Sequence, residues 1–182
     1  MKTKSNNIDN LLNLKPNKKI VIGFSLNTNR MVEEFEKNSA SLGERINSAK
    51  TVSEYGYSIS IHFDPIIIYE ECAKEYKKVI ELLFSEIKET NSIVWISLGA
   101  FRYSNELKKQ IKVASSSLLS GEFVKSLDGK YRYFKPQRIS LYSEIVDNIT
   151  SYSKKIPIYF CMESNDVWEN IFGSAPSSIN NL

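Results

Sequence analysis

Hydrophobic positions along this chain switch repeatedly between two rhythms. Residues 19–25 form a short apolar run rich in β-branched side chains, the composition of a strand buried on both faces of a parallel sheet. Ser41 and Glu44 then stand at capping-box spacing, and Leu42, Ile46, Ala49 and Val52 recur on one helical face until Gly56 stops the run. A second strand is expected over 57–63. The next helix is the clearest: Cys72, Tyr76, Val79, Ile80, Leu83 and Ile87 share one face, with Lys74, Lys77, Lys78, Glu81 and Lys88 opposite. A third strand follows over 93–98, and a shorter helix over 105–113 behind Ser104. Pro136 suits the first turn of a later helix whose buried stripe is Ile139, Tyr142, Ile145, Val146 and Ile149. Residues 156–161 read as a fourth strand, and Ser164 opens a last short helix ending near Gly173.

Alternation of this kind predicts an α/β fold with βαβ crossovers and a mostly parallel sheet. The stretch 118–134 breaks the rhythm. Two extended segments flank Leu127-Asp128-Gly129, and an Asp-Gly turn between such segments signals a β-hairpin inserted into the wound fold. The expected organisation is a flexible or helical segment over 1–18, a main unit over 19–173 carrying the hairpin, and a frayed polar tail over 174–182.

With 182 residues, 42% hydrophobic and 25% charged, the chain has the size and composition of one packed domain. No run approaches the roughly 20 apolar residues of a membrane-spanning helix, and the lysine-rich start lacks the apolar core of a signal peptide. Two cysteines, Cys72 and Cys161, make neither a disulfide framework nor a multi-cysteine metal motif, which points to the cytoplasm. The formal charge of +3 is small, so its placement matters more than its sum.

Ligands of parallel sheets bind at the carboxyl ends of the strands. Here those ends carry Ser25 and Asn27, then His62 and Asp64, then Gly99 to Arg102, then Met162 to Ser164. Each has a structural reading too: His62 as a turn anchor, Ser25 and Ser164 as helix caps, Arg102 as a surface residue. There is no Ser-His-Asp order, no phosphate-cradling glycine motif and no HExxH, and His62 with Asp64 lacks a third metal ligand. The hairpin carries a different pattern. Lys125, Lys130, Arg132, Lys135 and Arg138 face one acid, Asp128, and are interleaved with Tyr131, Tyr133 and Phe134. Cations beside flat rings suit a nucleic-acid surface. A solvated hairpin with its alternate aromatics packed on the core has the same pattern.

Several of these segments, in order, resemble the spore photoproduct lyase family of radical S-adenosylmethionine (SAM) enzymes of DNA repair. They are Gly23-Phe24-Ser25-Leu26-Asn27-Thr28, Ser60-Ile61-His62-Phe63-Asp64-Pro65-Ile66-Ile67, Trp95-Ile96-Ser97-Leu98-Gly99-Ala100, Leu119-Ser120-Gly121-Glu122-Phe123, Asp128-Gly129-Lys130-Tyr131-Arg132-Tyr133-Phe134 and Tyr159-Phe160-Cys161-Met162-Glu163-Ser164. The resemblance covers about residues 11–173. It implies a partial (β/α) TIM-like barrel, a [4Fe-4S] cluster that cleaves SAM reductively, and attack on a thymine dimer in DNA. Ser25 and Asp64 would face SAM, with Asn27 and His62 beside them. The hairpin, through Lys125, Lys130, Tyr131, Arg132, Tyr133 and Lys135, would contact lesion-containing DNA.

One departure from the family governs these expectations. The family holds its cluster through CxxxCxxC, and nothing here matches; Cys72 and Cys161 are too far apart to replace three closely spaced thiolates. The chain is therefore expected to be the C-terminal half of such an enzyme, unable to bind the cluster alone and inactive by itself, with the other half supplied from elsewhere, by a separate chain or across an interrupted gene. The alternatives are a non-catalytic nucleic-acid-binding remnant and an ordinary α/β enzyme that uses the rim without iron or SAM. The strand over 19–25 would then lack a neighbour. Ile20 and Ile22 would lie beside an open ladder, favouring self-association or marginal stability.

Overall fold

The computed structural model describes residues 1–17, 19–114 and 116–176. Its main sheet is five-stranded and entirely parallel. In spatial order it runs β1 (Lys2–Thr3), β2 (Val21–Ser25), β3 (Ser58–Ile66), β4 (Ile93–Ala100) and β8 (Ile158–Phe160). The helices between them include α3 (Leu42–Glu54), α4 (Cys72–Glu86) and α6 (Lys135–Tyr152), with α7 (Asn165–Phe172) after β8. At the head of α3, the Ser41 hydroxyl accepts from the Glu44 amide, and the Glu44 carboxylate accepts from the Ser41 amide at 2.8 Å. A cap of this kind contributes about 1 kcal/mol. The expected stripe of α4 is buried from Cys72 through Ile87.

The period of two divides the sheet cleanly. Ile22 and Phe24 on β2, Ile59, Ile61 and Phe63 on β3, Ile96 and Leu98 on β4, and Phe160 on β8 are buried in one continuous core beneath the helices. The alternate positions carry Gly23, Ser60, His62, Asp64, Trp95, Ser97 and Gly99 on the opposite face. An all-parallel sheet normally has both faces covered by apolar packing. Here one face is polar, and that is where chemistry has room.

A second, antiparallel sheet of order β5-β7-β6 comprises β5 (Arg102–Tyr103), β6 (Phe123–Lys125) and β7 (Tyr131–Tyr133). The expected hairpin is β6 and β7; its turn places Gly129 at φ +79° and closes with Ser126 N donating to Lys130 O at 2.8 Å. Strand β5 was not expected. It follows β4 after a single residue and joins the hairpin to the carboxyl end of the main sheet.

Several expectations are corrected. The first long strand begins at Val21, and Ile20 is left exposed while Ile22 is buried. Its edge is not open: Lys2 and Thr3 pair with Gly23 and Phe24, and the Met1 ammonium donates to Val21 O at 3.0 Å. The reason given above for self-association is thereby removed. The segment 1–18 holds β1 and a short helix, α1 (Asp9–Leu12). A helix missed in the sequence, α2 (Asn29–Phe35), starts where the Thr28 hydroxyl accepts from the Met31 amide. The short helix expected over 105–113 is α5 (Asn105–Ala114). Of the tail over 174–182, all beyond residue 176 lies outside the described residues.

Candidate functional site

Strand register builds a polar ladder across the uncovered face. Ser25, His62 and Ser97 stand side by side on β2, β3 and β4, with Gly23, Ser60 and Trp95 one step below. The His62 ring lies between two hydroxyls, with Ser60 Oγ 3.0 Å from Nε2 and Ser97 Oγ 2.6 Å from Nδ1. Burial, reinforced by the positive charges of Lys2 and the chain's ammonium and only partly opposed by Asp64, pushes the His62 pKa down to about 4. At neutral pH the imidazole is therefore uncharged, one nitrogen donating and the other accepting. Trp95 meets this ring edge-on at 6.3 Å, and its buried indole N–H has no partner among the described residues. A cavity of about 390 Å³ opens over Ser60, His62 and Trp95.

Two glycines clear the space around these groups. A Cβ on Gly23 would lie 2.8 Å from His62 Nε2, and one on Gly99 would lie 2.9 Å from Asp64 Cγ and 3.1 Å from Cys161 Cβ. Above the ladder, at the carboxyl rim, Arg102 Nη1 approaches Asp64 Oδ1 to 3.6 Å and Lys2 Nζ approaches Oδ2 to 3.7 Å. Arg102 also reaches Cys161 Sγ at 3.6 Å. None of these is a tight bond, so the cluster keeps hydrogen-bonding capacity for a ligand. A second cavity of about 380 Å³ is lined by Asp64, Arg102, Tyr103, Ser104 and Lys130, joining the rim to the hairpin. The structure brings His62 and Asp64, two of the residues singled out in the sequence, to this face, and Ser25 to its edge, where it is 3% exposed. Sequence reasoning did not select Lys2, Ser60, Ser97 or Cys161, although Ser60 and Ser97 share the period-two face with His62.

Asn27 is not brought to this face. Its Nδ2 donates to Pro65 O at 3.2 Å and Glu36 Oε1 at 3.3 Å, while its Oδ1 accepts from Tyr76 Oη at 2.6 Å and from the Thr28 amide at 3.0 Å. All of its hydrogen-bonding capacity is used within the fold. Behind it, Arg45 is fully buried, with Nη1 2.6 Å from Glu36 Oε2 in an ion pair. Burial alone would raise the Glu36 pKa, but the bonds and charges of Lys4 and Arg45 hold it below the ordinary carboxylate value.

The hairpin residues divide sharply. Tyr133 is 1% exposed and stacks on Phe123 at 4.4 Å, so it belongs to the core and has no face left for a base. Arg132 makes a bidentate pair with Asp128 at 2.7 and 2.8 Å and is 8% exposed. Tyr131 stacks on Tyr103 at 5.2 Å under the Lys108 ammonium. Lys135 pairs with Asp166. Lys125 is exposed, and Lys130 is half-buried against the rim cavity. Cross-strand register puts Arg102 directly opposite Arg132, an unfavourable pairing that separate carboxylates, Asp64 and Asp128, offset.

At the end of β8, Met162 has φ +61° and is 54% exposed, a conformation that costs a non-glycine residue about 1–2 kcal/mol. Beside it the buried Glu163 carboxylate accepts from Tyr142 Oη at 2.9 Å and sits 3.1 Å from Arg138 Nε. Ser164 occupies the N-cap of α7, but its hydroxyl makes no capping bond.

The two cysteines lie on different parts of the fold, Cys72 at the start of α4 and Cys161 just after β8. Burial raises the pKa of Cys72, and burial with the Asp64 charge raises that of Cys161, so both remain thiols at neutral pH. Among the described residues no three His, Cys, Asp or Glu side chains group as metal ligands. None of the described helices is long and apolar enough to cross a membrane.

Comparison with known proteins bears on the family and the fold. The family model for spore photoproduct lyase matches residues 1–152. The spore photoproduct lyase of Clostridium acetobutylicum is 26% identical over 166 residues, which is 87% of this chain and 49% of that protein. That of Bacillus subtilis is 28% identical over 111 residues, covering 60% of this chain and 32% of that protein. A solved spore photoproduct lyase mutant with dinucleoside spore photoproduct superposes with a TM-score of 0.78 at 20% identity, over 88% of this chain and 50% of that one. Another, with bound AdoMet and dinucleoside spore photoproduct, gives 0.73 at 19%, over 87% and 49%. The chain spans about half the length of the first of these curated relatives and of both solved structures.

Proposed function

The chain belongs to the spore photoproduct lyase family, and on that premise we propose that it supplies the SAM-facing rim and the DNA-contacting hairpin of a protein acting on thymine-dimer lesions. The observation that carries this reading is the polar face: Gly23 and Gly99 let the His62 ring and the Asp64 carboxylate lie against the sheet, and cavities of about 390 and 380 Å³ open over them. Asp64, Ser25 and His62 are the groups that would hold SAM, with the acidic side chain suited to its hydroxyl or ammonium groups and the uncharged imidazole avoiding repulsion from its sulfonium. SAM held there would supply a 5′-deoxyadenosyl radical, with methionine as the other product, only on accepting one electron from a reduced cluster carried by polypeptide outside this chain. This chain binds and orients; its own thiols do not provide a [4Fe-4S] site. In this reading the cluster belongs to polypeptide corresponding to the other half of the family, joined to the polar face as the second wall of a barrel.

DNA contact falls to Lys125 and Lys130, with Arg102 across the rim cavity, because Arg132 and Lys135 already have carboxylate partners and Tyr133 is core. The experiment has two arms. Titration calorimetry with SAM, and with the Asp64→Asn variant, tests the rim; saturable binding lost in the variant is expected. Fluorescence anisotropy with duplex DNA at several salt concentrations tests the hairpin. Replacing Lys125 and Lys130 with Ala is expected to lower the salt slope by about one for each phosphate contact removed. The second reading, a nucleic-acid-binding remnant without catalysis, is favoured by the two protonated thiols. It stands if DNA binds and SAM does not.

A further inference from the structure

We infer that Asn27 is a positioning residue for the rim: its amide holds the bulge of β3 that presents Asp64. This inference rests on the proposed SAM reading and adds to it a residue that does not touch the ligand.

The ladders on both sides of β3 stop short of Asp64. Pairing with β2 ends where Ser25 faces His62, closed by the Leu26 amide donating to His62 O at 3.0 Å. Pairing with β4 shifts register between Phe63, which faces Leu98, and Ile66, which faces Ala100. Strand β3 therefore advances three residues where β4 advances two. An extra residue of this kind bends a strand and re-aims its side chains, and such bulges gather beside binding sites. Asp64 and Pro65 occupy this one. The Pro65 carbonyl accepts from a side chain, Asn27 Nδ2 at 3.2 Å, and one residue later the Phe101 amide donates to Ile66 O at 2.7 Å, where pairing with β4 resumes. Asp64 has only loose contacts with Lys2 and Arg102, so its direction is set by this backbone.

The surrounding network leaves the Asn27 amide one orientation. The Thr28 amide can only donate and meets Oδ1 at 3.0 Å, while the Glu36 carboxylate accepts and meets Nδ2 at 3.3 Å. Tyr76 Oη adds a bond to Oδ1 at 2.6 Å, on a side chain that is 3% exposed. Glu36 is in turn bonded by Lys4 at 2.8 Å and paired with Arg45, whose Nη1 donates to Ser25 O at 3.0 Å. One buried carboxylate thus supports both the amide behind Asp64 and the backbone of Ser25.

Calorimetry with SAM and thermal melting of the full chain form the test. Tyr76→Phe removes one bond to Asn27 and leaves the Pro65 contact. It should melt about 2–4 °C lower and keep SAM affinity within about twofold. Asn27→Asp replaces the amide donor with a carboxylate facing the Pro65 carbonyl and Glu36. At about pH 8 it should bind SAM at least about tenfold more weakly than wild type, the size of one lost hydrogen bond to a charged group. The groups around the introduced carboxyl are Glu36, with Lys4 and Arg45 behind it, and Tyr76. Burial beside Glu36 raises its pKa, and once protonated it donates to Pro65 O in the amide's place, so at about pH 5.5 the affinity should return to within about threefold of wild type. Equal affinity of Asn27→Asp and wild type at the higher pH overturns the inference while leaving the SAM reading intact. A comparable loss in Tyr76→Phe, or no recovery of Asn27→Asp at the lower pH, would assign Asn27 to packing alone, and also overturns it. A wild-type chain that binds no SAM overturns both.

Discussion

At the carboxyl rim of the parallel sheet, Asp64 meets Arg102 at 3.6 Å and Lys2 at 3.7 Å, with all three partly exposed. In the hairpin, Asp128 grips Arg132 through two bonds of 2.7 and 2.8 Å, and the guanidinium is nearly buried. The residue types are the same; their availability is not. Loosely opposed charges cost little to redirect toward a ligand, whereas a bidentate pair must first be broken. The same contrast holds for the rings: Trp95 at the ladder has an N–H without a partner among the described residues, while Tyr133 in the hairpin is enclosed. Residue type locates a candidate site, and the state of its partners decides which members can act.

The sharpest way to break this comparison is Tyr133→Ala. If the ring is core, as its stacking on Phe123 indicates, truncation costs about 3–5 kcal/mol of unfolding free energy, read by denaturant titration. A ring that reads bases would instead lower DNA affinity and leave the unfolding midpoint nearly unchanged. Next comes Gly99→Ala. Its new methyl would meet Asp64 and Cys161 inside 3.2 Å, so overpacking is expected to cost about 1–3 kcal/mol and to abolish SAM binding by calorimetry. Retention of full SAM affinity would show that the cleared face is not the pocket.

Much of the fold was legible in the chain itself, whereas this contrast was not. Strands β2, β3, β4 and β8 and most of the helices on the core face could be read from their apolar period, as in Ile59, Ile61 and Phe63 on β3 or the stripe from Cys72 to Leu83. The Asp-Gly turn announced the hairpin. Strands β1 and β5 could not be read: two residues carry no period, and their existence depends on a partner distant in sequence, Gly23 for Lys2 and Arg132 for Arg102. Asn27 shows the parallel limit for site residues. Its position after β2 is what a ligand residue would have, but Tyr76, on a helix 49 residues away, takes its carbonyl oxygen. Long-range partners decide function, and composition does not disclose them.

His62 offers a smaller, pH-dependent test of the rim. The ring is held near a pKa of 4 when folded, against 6.5 unfolded. Between those values the unfolded chain binds the extra proton, so the fold loses stability as pH falls from 6.5 toward 4 and is unaffected above. The loss is expected to be about 1–2 kcal/mol, less than the full shift because the ring is partly solvated. Thermal melts of wild type and His62→Gln across that range measure it. Parallel pH profiles for the two would mean that the ladder does not hold the imidazole neutral.

The smallest expected effect separates the two charge clusters most directly. In Asp128→Asn the bidentate pair is lost, and Arg132, freed from its carboxylate, gains the ability to meet a phosphate. One additional cation at the surface should raise DNA affinity by about two- to fivefold at low salt and steepen the salt dependence by about one contact. A drop in affinity would carry the opposite lesson. It would mean that Asp128, which also accepts the Lys130 amide at 3.2 Å, shapes the turn that presents Lys125 and Lys130, so that the pair organises the DNA surface instead of holding a cation back from it.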